Sequence, residues 1–123
     1  LKILRLPLIF CFHFKRFEHN LTNSLNSTST KVTCHISFPK QMDMRPYLTR
    51  ENRQTDEDTK YTLFCVINHQ GNLTGGHYTC HITDGLDRWY CCDDTEIYMV
   101  SESDVLKSQA YLLLYQKNKI NYI

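Results

Sequence analysis

The sequence has no run of the 18 or so apolar residues that a membrane-spanning helix needs. It also lacks an excess of charge of either sign, because 14 Lys and Arg residues stand against 13 Asp and Glu residues. A net charge of +1 gives no extended field that would attract a polyanion. We therefore expect neither a membrane partner nor direct binding to nucleic acid.

The six cysteines lack the Cys-x-x-Cys spacing from which structural zinc sites are commonly built. Cys91 and Cys92 are neighbours and would face opposite sides of a strand. The others lie in apolar runs, where a free thiol packs as a small buried hydrophobic group: Cys11, Cys34, Cys65 and Cys80. This pattern predicts an intracellular protein, nuclear or cytoplasmic, with no metal or cofactor bound by this chain. The alternative left open by the even count is a secreted domain with three disulfides.

The 123 residues suffice for one domain, and a hydrophobic fraction of 41% suffices for its core. Apolar residues recur with the period of two that is typical of strands. The predicted strands are residues 8–17, 32–38, 61–68, 77–82, 89–92, 97–100 and 111–115. A capping box at Ser101 and Asp104 predicts a short helix to about residue 108. We expect the α+β class, a mostly antiparallel β sheet of about six strands with one or two short helices.

Polar segments between these runs predict loops and turns. Residues 20–30 are Asn, Ser and Thr without periodicity, and residues 49–60 carry charges of both signs, so both are expected to be exposed loops. Residues 42–48 are expected to be irregular or to form a single helical turn, and residues 69–72 a turn. Lys15 and Arg16 are interpreted as a solvated strand end.

Glycine is scarce, with only four residues, and two of them are adjacent and directly precede His77. Gly75 and Gly76 allow a close approach to the backbone or a moving loop. The alternation beyond them predicts that His77 lies on the wetter face of a strand with Thr79 and His81. A turn near residues 83–87 would then return Asp93 to the neighbourhood of His77.

A histidine with a carboxylate on one ring nitrogen is the arrangement of a general base and its orienting partner. An ordinary structural hydrogen bond is the alternative, and spacing alone favours it. No nucleophile is well placed, because Cys80 lies three residues from His77 and therefore on the opposite strand face.

Seven motifs, in order along almost the whole chain, resemble the C-terminal boxes of the ubiquitin-specific proteases. They occupy residues 6–17, 36–39, 42–47, 61–71, 75–78, 89–94 and 110–115. Within the family, Phe17, Glu18 and His19, the Met-Asp-Met of residues 42–44 and Cys92 before the Asp pair make the resemblance closest to the histone deubiquitinases of the SAGA coactivator.

The resemblance implies that the chain is the C-terminal portion, residues 1–123, of a papain-like catalytic domain and contributes to its palm. It implies that His77 is the general base, that Asp93 orients it, and that Asp94 is a second polar residue beside the site. Gly75, Gly76 and Tyr78 are expected to contact the C-terminal tail of ubiquitin. The family's nucleophilic cysteine, helical thumb and zinc-bearing fingers match nothing in this sequence, so zinc is expected only in those other parts.

The implied activity is thiol-dependent hydrolysis of the isopeptide bond between ubiquitin and a lysine, with histone as an expected substrate protein and SAGA-type subunits as expected partners. An inactive module that binds ubiquitin or a partner is the alternative. By itself the chain is expected to be inactive, and to be sticky because an apolar face that would pack on the thumb is left open.

Overall fold

The computed structural model describes residues 1–23, 26–55, 58–72 and 74–119. None of the helices in these ranges is both long and apolar enough to cross a membrane. In chain order, the elements are β1 (Ile9–His13), β2 (Phe17–Asn23), β3 (Asn26–Lys31), β4 (Gln41–Asp43), a 3₁₀ helix (Arg45–Tyr47), α1 (Arg50–Thr55), β5 (Lys60–Gly71), β6 (Gly76–Thr83), β7 (Trp89–Asp93), β8 (Glu96–Val100), α2 (Glu102–Lys107) and β9 (Ala110–Lys117).

The main sheet has seven strands, all paired antiparallel, in the order β1-β9-β5-β6-β7-β8, with β4 added beside the start of β5. β2 and β3 pair with each other in a separate two-stranded sheet. β5 and β9 lie inside the main sheet, each with a paired strand on both sides. The predicted α+β class and largely antiparallel sheet are confirmed.

The core lies against one face of this sheet. Leu63, Val66 and Leu113 from the central strands are at most 3% exposed, and Trp89 at the start of β7 is 2% exposed. Val105 of α2 is fully buried in the same cluster. The Ser101 side chain caps α2 by accepting a hydrogen bond from the Asp104 backbone N–H at 3.0 Å, as the capping box predicted.

Residues 32–38 were predicted to be a strand, and this prediction is wrong. The segment belongs to none of the sheets. Two of its backbone carbonyls accept hydrogen bonds from a side chain instead. The buried Arg16 guanidinium donates to the carbonyls of Val32 at 3.1 Å and Cys34 at 2.7 Å. Arg16 is 2% exposed, so its interpretation as a solvated strand end is also wrong. The predicted first strand, residues 8–17, is interrupted after His13, and β1 is an edge strand of the main sheet.

Residues 20–30 do not form the expected loop, because their described part belongs to the β2–β3 hairpin. A backbone ladder needs no apolar alternation, and the β-branched threonines of this stretch favour extended backbone. Residues 50–55 form α1, consistent with the helix propensity of Arg, Glu and Gln, so the loop expected there is also wrong in its described part. β5 continues to Gly71 through the turn expected at residues 69–72.

The described cysteines are all free, but two of them contradict the expectation of burial. Cys11 and Cys34 are exposed, whereas Cys65 and Cys91 are buried and Cys80 and Cys92 are half-buried. Cys11 is exposed because β1 lies at the end of the sheet, and Cys34 because residues 32–38 join no sheet.

Candidate active site

The β6–β7 hairpin brings His77 and Asp93 together. Cys80 faces Cys92 in this hairpin, and continuing the register places Asp93 across from Thr79, two residues from His77 on the same face. The His77 Nε2 atom lies 2.5 Å from the Asp93 Oδ1 atom. The contact that the turn at residues 83–87 predicted is therefore present in the structure.

The Asp93 carboxylate raises the pKa of His77, first through this hydrogen bond and then through its charge. Asp94 adds a smaller effect in the same direction. Since Nε2 is bound to the carboxylate, proton exchange with a reacting group falls to Nδ1. The side chains of His77 and Asp93 are 43% and 36% exposed, so the pair is open to a substrate or to another protein surface.

Asp94 lies in the tight turn between β7 and β8, with φ of +52°. Asp is one of the few residues other than Gly that tolerates this left-handed backbone. Its carboxylate belongs to the same cluster, in which one donor atom from each of His77, Asp93 and Asp94 lies within 4.8 Å of the others. The predicted three-residue group is thus assembled at one end of the hairpin.

Among the residues that the structure describes, this cluster is the only group of three or more side chains that could together bind a metal ion. It holds no thiolate, whereas structural zinc sites are built from Cys and His. The donor set fits a proton-transfer pair with a second carboxylate better than a structural metal site.

The expected wetter face of β6 is not the one that carries His77. Tyr78 is 55% exposed and Ile82 39% exposed, whereas Thr79 and His81 on the His77 face are half-buried. The face of Tyr78 and Ile82 continues across the neighbouring strands to the exposed Ile97 and Met99. Alternation gave the sides of the strand correctly, but it could not tell which side the rest of the chain covers.

We expect an NMR titration of the histidine rings to give His77 a pKa above its ordinary value of 6.5. Burial lowers the pKa values of His69 and His81, so they should titrate at lower pH than His77 in the same sample. Asp93→Asn should bring the pKa of His77 down, because the hydrogen-bonded charge is lost. Asp94→Asn is the matched control and should lower it less. An unchanged His77 titration in Asp93→Asn would show that the contact does not form in solution.

Gly76 begins β6 where the His69 ring crosses its backbone. A Cβ atom added at Gly76 would lie 2.8 Å from His69 Cε1 and 2.9 Å from Cδ2, and closer still to Nε2. The same atom at Gly75 would meet only Asn72 Oδ1, at 3.7 Å. Gly76 is therefore required by close packing, whereas the Gly75 backbone N–H is held by the Asn72 side chain at 2.8 Å.

Gly76→Ala should destabilise the chain by about 1–3 kcal/mol, the usual cost of forcing extra atoms into a packed site. His69 cannot yield easily, because it is 6% exposed and lies against other rings. Gly75→Ala is the control in the adjacent position and should change the stability little. Urea denaturation of both variants measures the difference, and equal midpoints would contradict the packing argument.

His69 belongs to an aromatic group that the sequence did not single out. Its ring centroid lies 4.8 Å from that of Tyr78, 5.6 Å from Phe17 and 6.0 Å from Tyr111. The Tyr78 and Tyr111 rings are 5.9 Å apart. These residues come from four strands, so only the sheet order reveals the group. It places the exposed Tyr78 ring on a rigid aromatic support directly beside Gly76.

A second missed feature is a polar cleft of about 450 Å³ on the His77 side of the sheet. Asn68, Thr79, His81 and Asp93 are among its lining residues. Asn68 Nδ2 lies 3.3 Å from His81 Nδ1, while the buried Asn68 Oδ1 has no hydrogen-bond partner among the residues that the structure describes. Its polarity at the end of the apolar run in β5 is the one sequence signal that could have pointed to Asn68.

The family described as "Ubiquitin carboxyl-terminal hydrolase" matches residues 1–115 of the chain. The chain belongs to this family. It is 41% identical to ubiquitin carboxyl-terminal hydrolase 22 of Homo sapiens over 96% of its own length and 24% of the relative's. It is 44% identical to ubiquitin carboxyl-terminal hydrolase 27 of Mus musculus over 92% of its length and 27% of the relative's.

Among solved structures, the chain is similar to one in the SAGA DUB module of Ubp8, Sgf11, Sus1 and Sgf73 bound to monoubiquitin. The TM-score is 0.82 at 31% identity, over 98% of this chain and 25% of the other. The chain therefore spans about a quarter of the proteins it matches. The resemblance carried by the seven motifs is confirmed at the level of family and fold.

Proposed function

We propose that this chain supplies the general base and its orienting carboxylate to a thiol-dependent deubiquitinase. The observation that carries the proposal is the 2.5 Å contact between His77 Nε2 and Asp93 Oδ1 in a member of the ubiquitin carboxyl-terminal hydrolase family. The bond cleaved is the isopeptide bond between the C-terminal glycine of ubiquitin and a lysine.

In this mechanism, His77 Nδ1 takes the proton of a cysteine thiol and later gives it to the departing lysine amine. Asp93 holds Nε2, fixes the ring orientation and stabilises the imidazolium. Asp94 adds negative charge beside the same ring. Attack of the thiolate on the isopeptide carbonyl gives a thioester, which water hydrolyses to free the ubiquitin carboxylate.

The nucleophile is proposed to come from a part of the complete protein outside these residues. Cys80 and Cys92 lie on the strand faces opposite His77 and Asp93. Cys91 shares the face of Asp93 but is 4% exposed and interacts with the Tyr98 hydroxyl. In this proposal, residues 1–123 form the later part of the palm of the catalytic domain.

The ubiquitin tail is proposed to run past Gly75, Gly76 and Tyr78. A Cβ atom at Gly75 would make only an ordinary contact with Asn72 Oδ1, and Gly76 lies against the His69 ring. Tyr78 offers an exposed aromatic surface beside them. The narrow Gly-Gly terminus of ubiquitin suits a site that has glycine backbone on one side and the His69 and Tyr78 rings beside it.

For the complete protein, we propose a nuclear role on ubiquitylated histone with SAGA-type coactivator subunits as partners. The support is the similarity to the Ubp8 chain of the SAGA DUB module. In this proposal, residues 1–123 bind no cofactor, and any structural zinc is bound by the finger region of the complete enzyme.

The proposal is tested with the complete protein that carries these residues and a ubiquitin bearing a C-terminal fluorophore. We expect turnover that requires reduced thiols and stops after alkylation with iodoacetamide. Tight binding of ubiquitin without turnover would favour the inactive binding module instead. Faster cleavage of ubiquitin from nucleosomes than from a free ubiquitin dimer would support the histone assignment, and the reverse order would contradict it.

A further inference from the structure

Two thiols approach each other closely on the sheet face opposite His77. Cys65 of β5 lies across from Ile82, and Cys80 of β6 lies across from Ile67, so the cysteines are diagonal neighbours on one face. Their Sγ atoms are 3.3 Å apart, and both thiols are free. The distance is that of a hydrogen-bonded pair of thiols, and a disulfide requires the two atoms to close to about 2.05 Å.

A register irregularity in the β5–β9 pairing, between Leu63 and Cys65, accompanies this approach. A bulge of this kind re-aims the side chain that follows it. Here it leaves Cys65 7% exposed, against half-buried Cys80. Of the two residues, Cys80 is thus the more open to a small solute in water.

We propose that Cys65 and Cys80 form a redox site in which a hydroperoxide converts the two thiols to a reversible disulfide between β5 and β6. Cys80 is the thiol that the peroxide attacks, and Cys65 is the resolving thiol. The site is separate from the deubiquitinase chemistry, and its test does not depend on ubiquitin.

The difference between the two thiols fixes this order of events. The hydrogen bond between the two sulfur atoms lowers the pKa of Cys80 to about 7. The same contact, together with burial, raises the pKa of Cys65. Cys92, which faces Cys80 from β7, has its pKa raised by burial and by the neighbouring thiols. Cys80 is therefore the thiolate of the group near neutral pH, and the thiolate is the reactive form.

The reaction balances in two steps. The Cys80 thiolate attacks one peroxide oxygen and the O–O bond breaks, so that Cys80 becomes a sulfenic acid. The other oxygen leaves as alkoxide or hydroxide and takes a proton from the solvent to give an alcohol or water. The Cys65 sulfur then attacks the Cys80 sulfur, the S–O bond breaks, and the released hydroxide takes the thiol proton as water. Two electrons pass from the sulfur pair to the peroxide, and an added thiol reverses the change.

The experiment exposes the complete protein to hydrogen peroxide, blocks the remaining thiols with iodoacetamide and maps the tryptic peptides by mass. Residues 61–88 form one tryptic peptide that contains Cys65 and Cys80 and no other cysteine. We expect this peptide to lose two hydrogen atoms and to take no alkyl group, and both changes to be reversed by dithiothreitol. The exposed Cys11 and Cys34, on separate peptides, report general oxidation in the same digest.

Variants separate the two roles. Cys65→Ser should leave a Cys80 sulfenic acid that dimedone traps, because serine cannot resolve it. Cys80→Ser should leave Cys65 reduced, and Cys92→Ser, the matched control across the hairpin, should still form the link. The proposal is overturned if the peptide of residues 61–88 remains fully alkylatable at peroxide levels that oxidise Cys11 and Cys34, or if Cys80 links to Cys92 instead.

Discussion

Replacing His77 by alanine in the complete protein is expected to reduce ubiquitin cleavage at least about a thousandfold while leaving ubiquitin binding nearly unchanged. General acid–base catalysis by one positioned side chain contributes about 10²–10⁴-fold, and here the same ring also activates the thiol. The side chain is partly exposed and is bound through Asp93, so its removal opens no cavity in the core. The readouts are turnover of the ubiquitin–fluorophore substrate and the affinity for ubiquitin measured separately.

Asp93→Asn should be milder, because it keeps the hydrogen-bonded shape and loses the charge that stabilises the imidazolium. A loss of a few kcal/mol of transition-state stabilisation, or about a hundredfold in rate, is the expected order. His35→Ala is the control, since this exposed histidine contacts only the Ser108 carbonyl among the hydrogen bonds described. Near-normal turnover by His77→Ala would remove the general base from the proposed mechanism.

The pair itself could be predicted because every step toward it is local in sequence. A period of two placed His77 on one strand face, and a polar turn near residues 83–87 returned the chain to Asp93. The same reasoning found β5, β8 and the cap of α2. These features depend on neighbours within about twenty residues, and local patterns carry that information.

What the sequence could not reveal depends on which side chains pack or bond together once the strands are paired. Gly76 reads as a flexible residue, but the His69 ring that fills the space above it gives it a packing role. Arg16 reads as a surface charge, but its Nε donates to the Ala110 carbonyl, 94 residues away in sequence. The apolar pattern also gave no sign that residues 32–38 would direct carbonyls to a side chain in place of a strand partner.

Arg16→Met is expected to destabilise the chain by about 3 kcal/mol or more. The guanidinium donates to the carbonyls of Ala110, Val32 and Cys34, and all three carbonyls lose a charged donor, the Ala110 carbonyl in a buried place. Hydrogen bonds to charged groups contribute about 1.5–3 kcal/mol each, and methionine fills the volume without replacing any of them. Urea denaturation followed by tryptophan fluorescence measures the effect, because the only tryptophan, Trp89, is buried.

Two further variants give this prediction its controls. Lys15→Met removes the same charge one residue earlier in the chain, but at an exposed side chain, and should change the stability by less than about 0.5 kcal/mol. Arg16→Lys keeps the charge, but a single ammonium group cannot reach all of the carbonyls that the planar guanidinium contacts in different directions. It should therefore recover only part of the stability that Arg16→Met loses. If Arg16→Met and Lys15→Met unfold at the same urea concentration, then Arg16 does not hold residues 32–34 against β9. In that case other contacts must hold residues 32–34 in place.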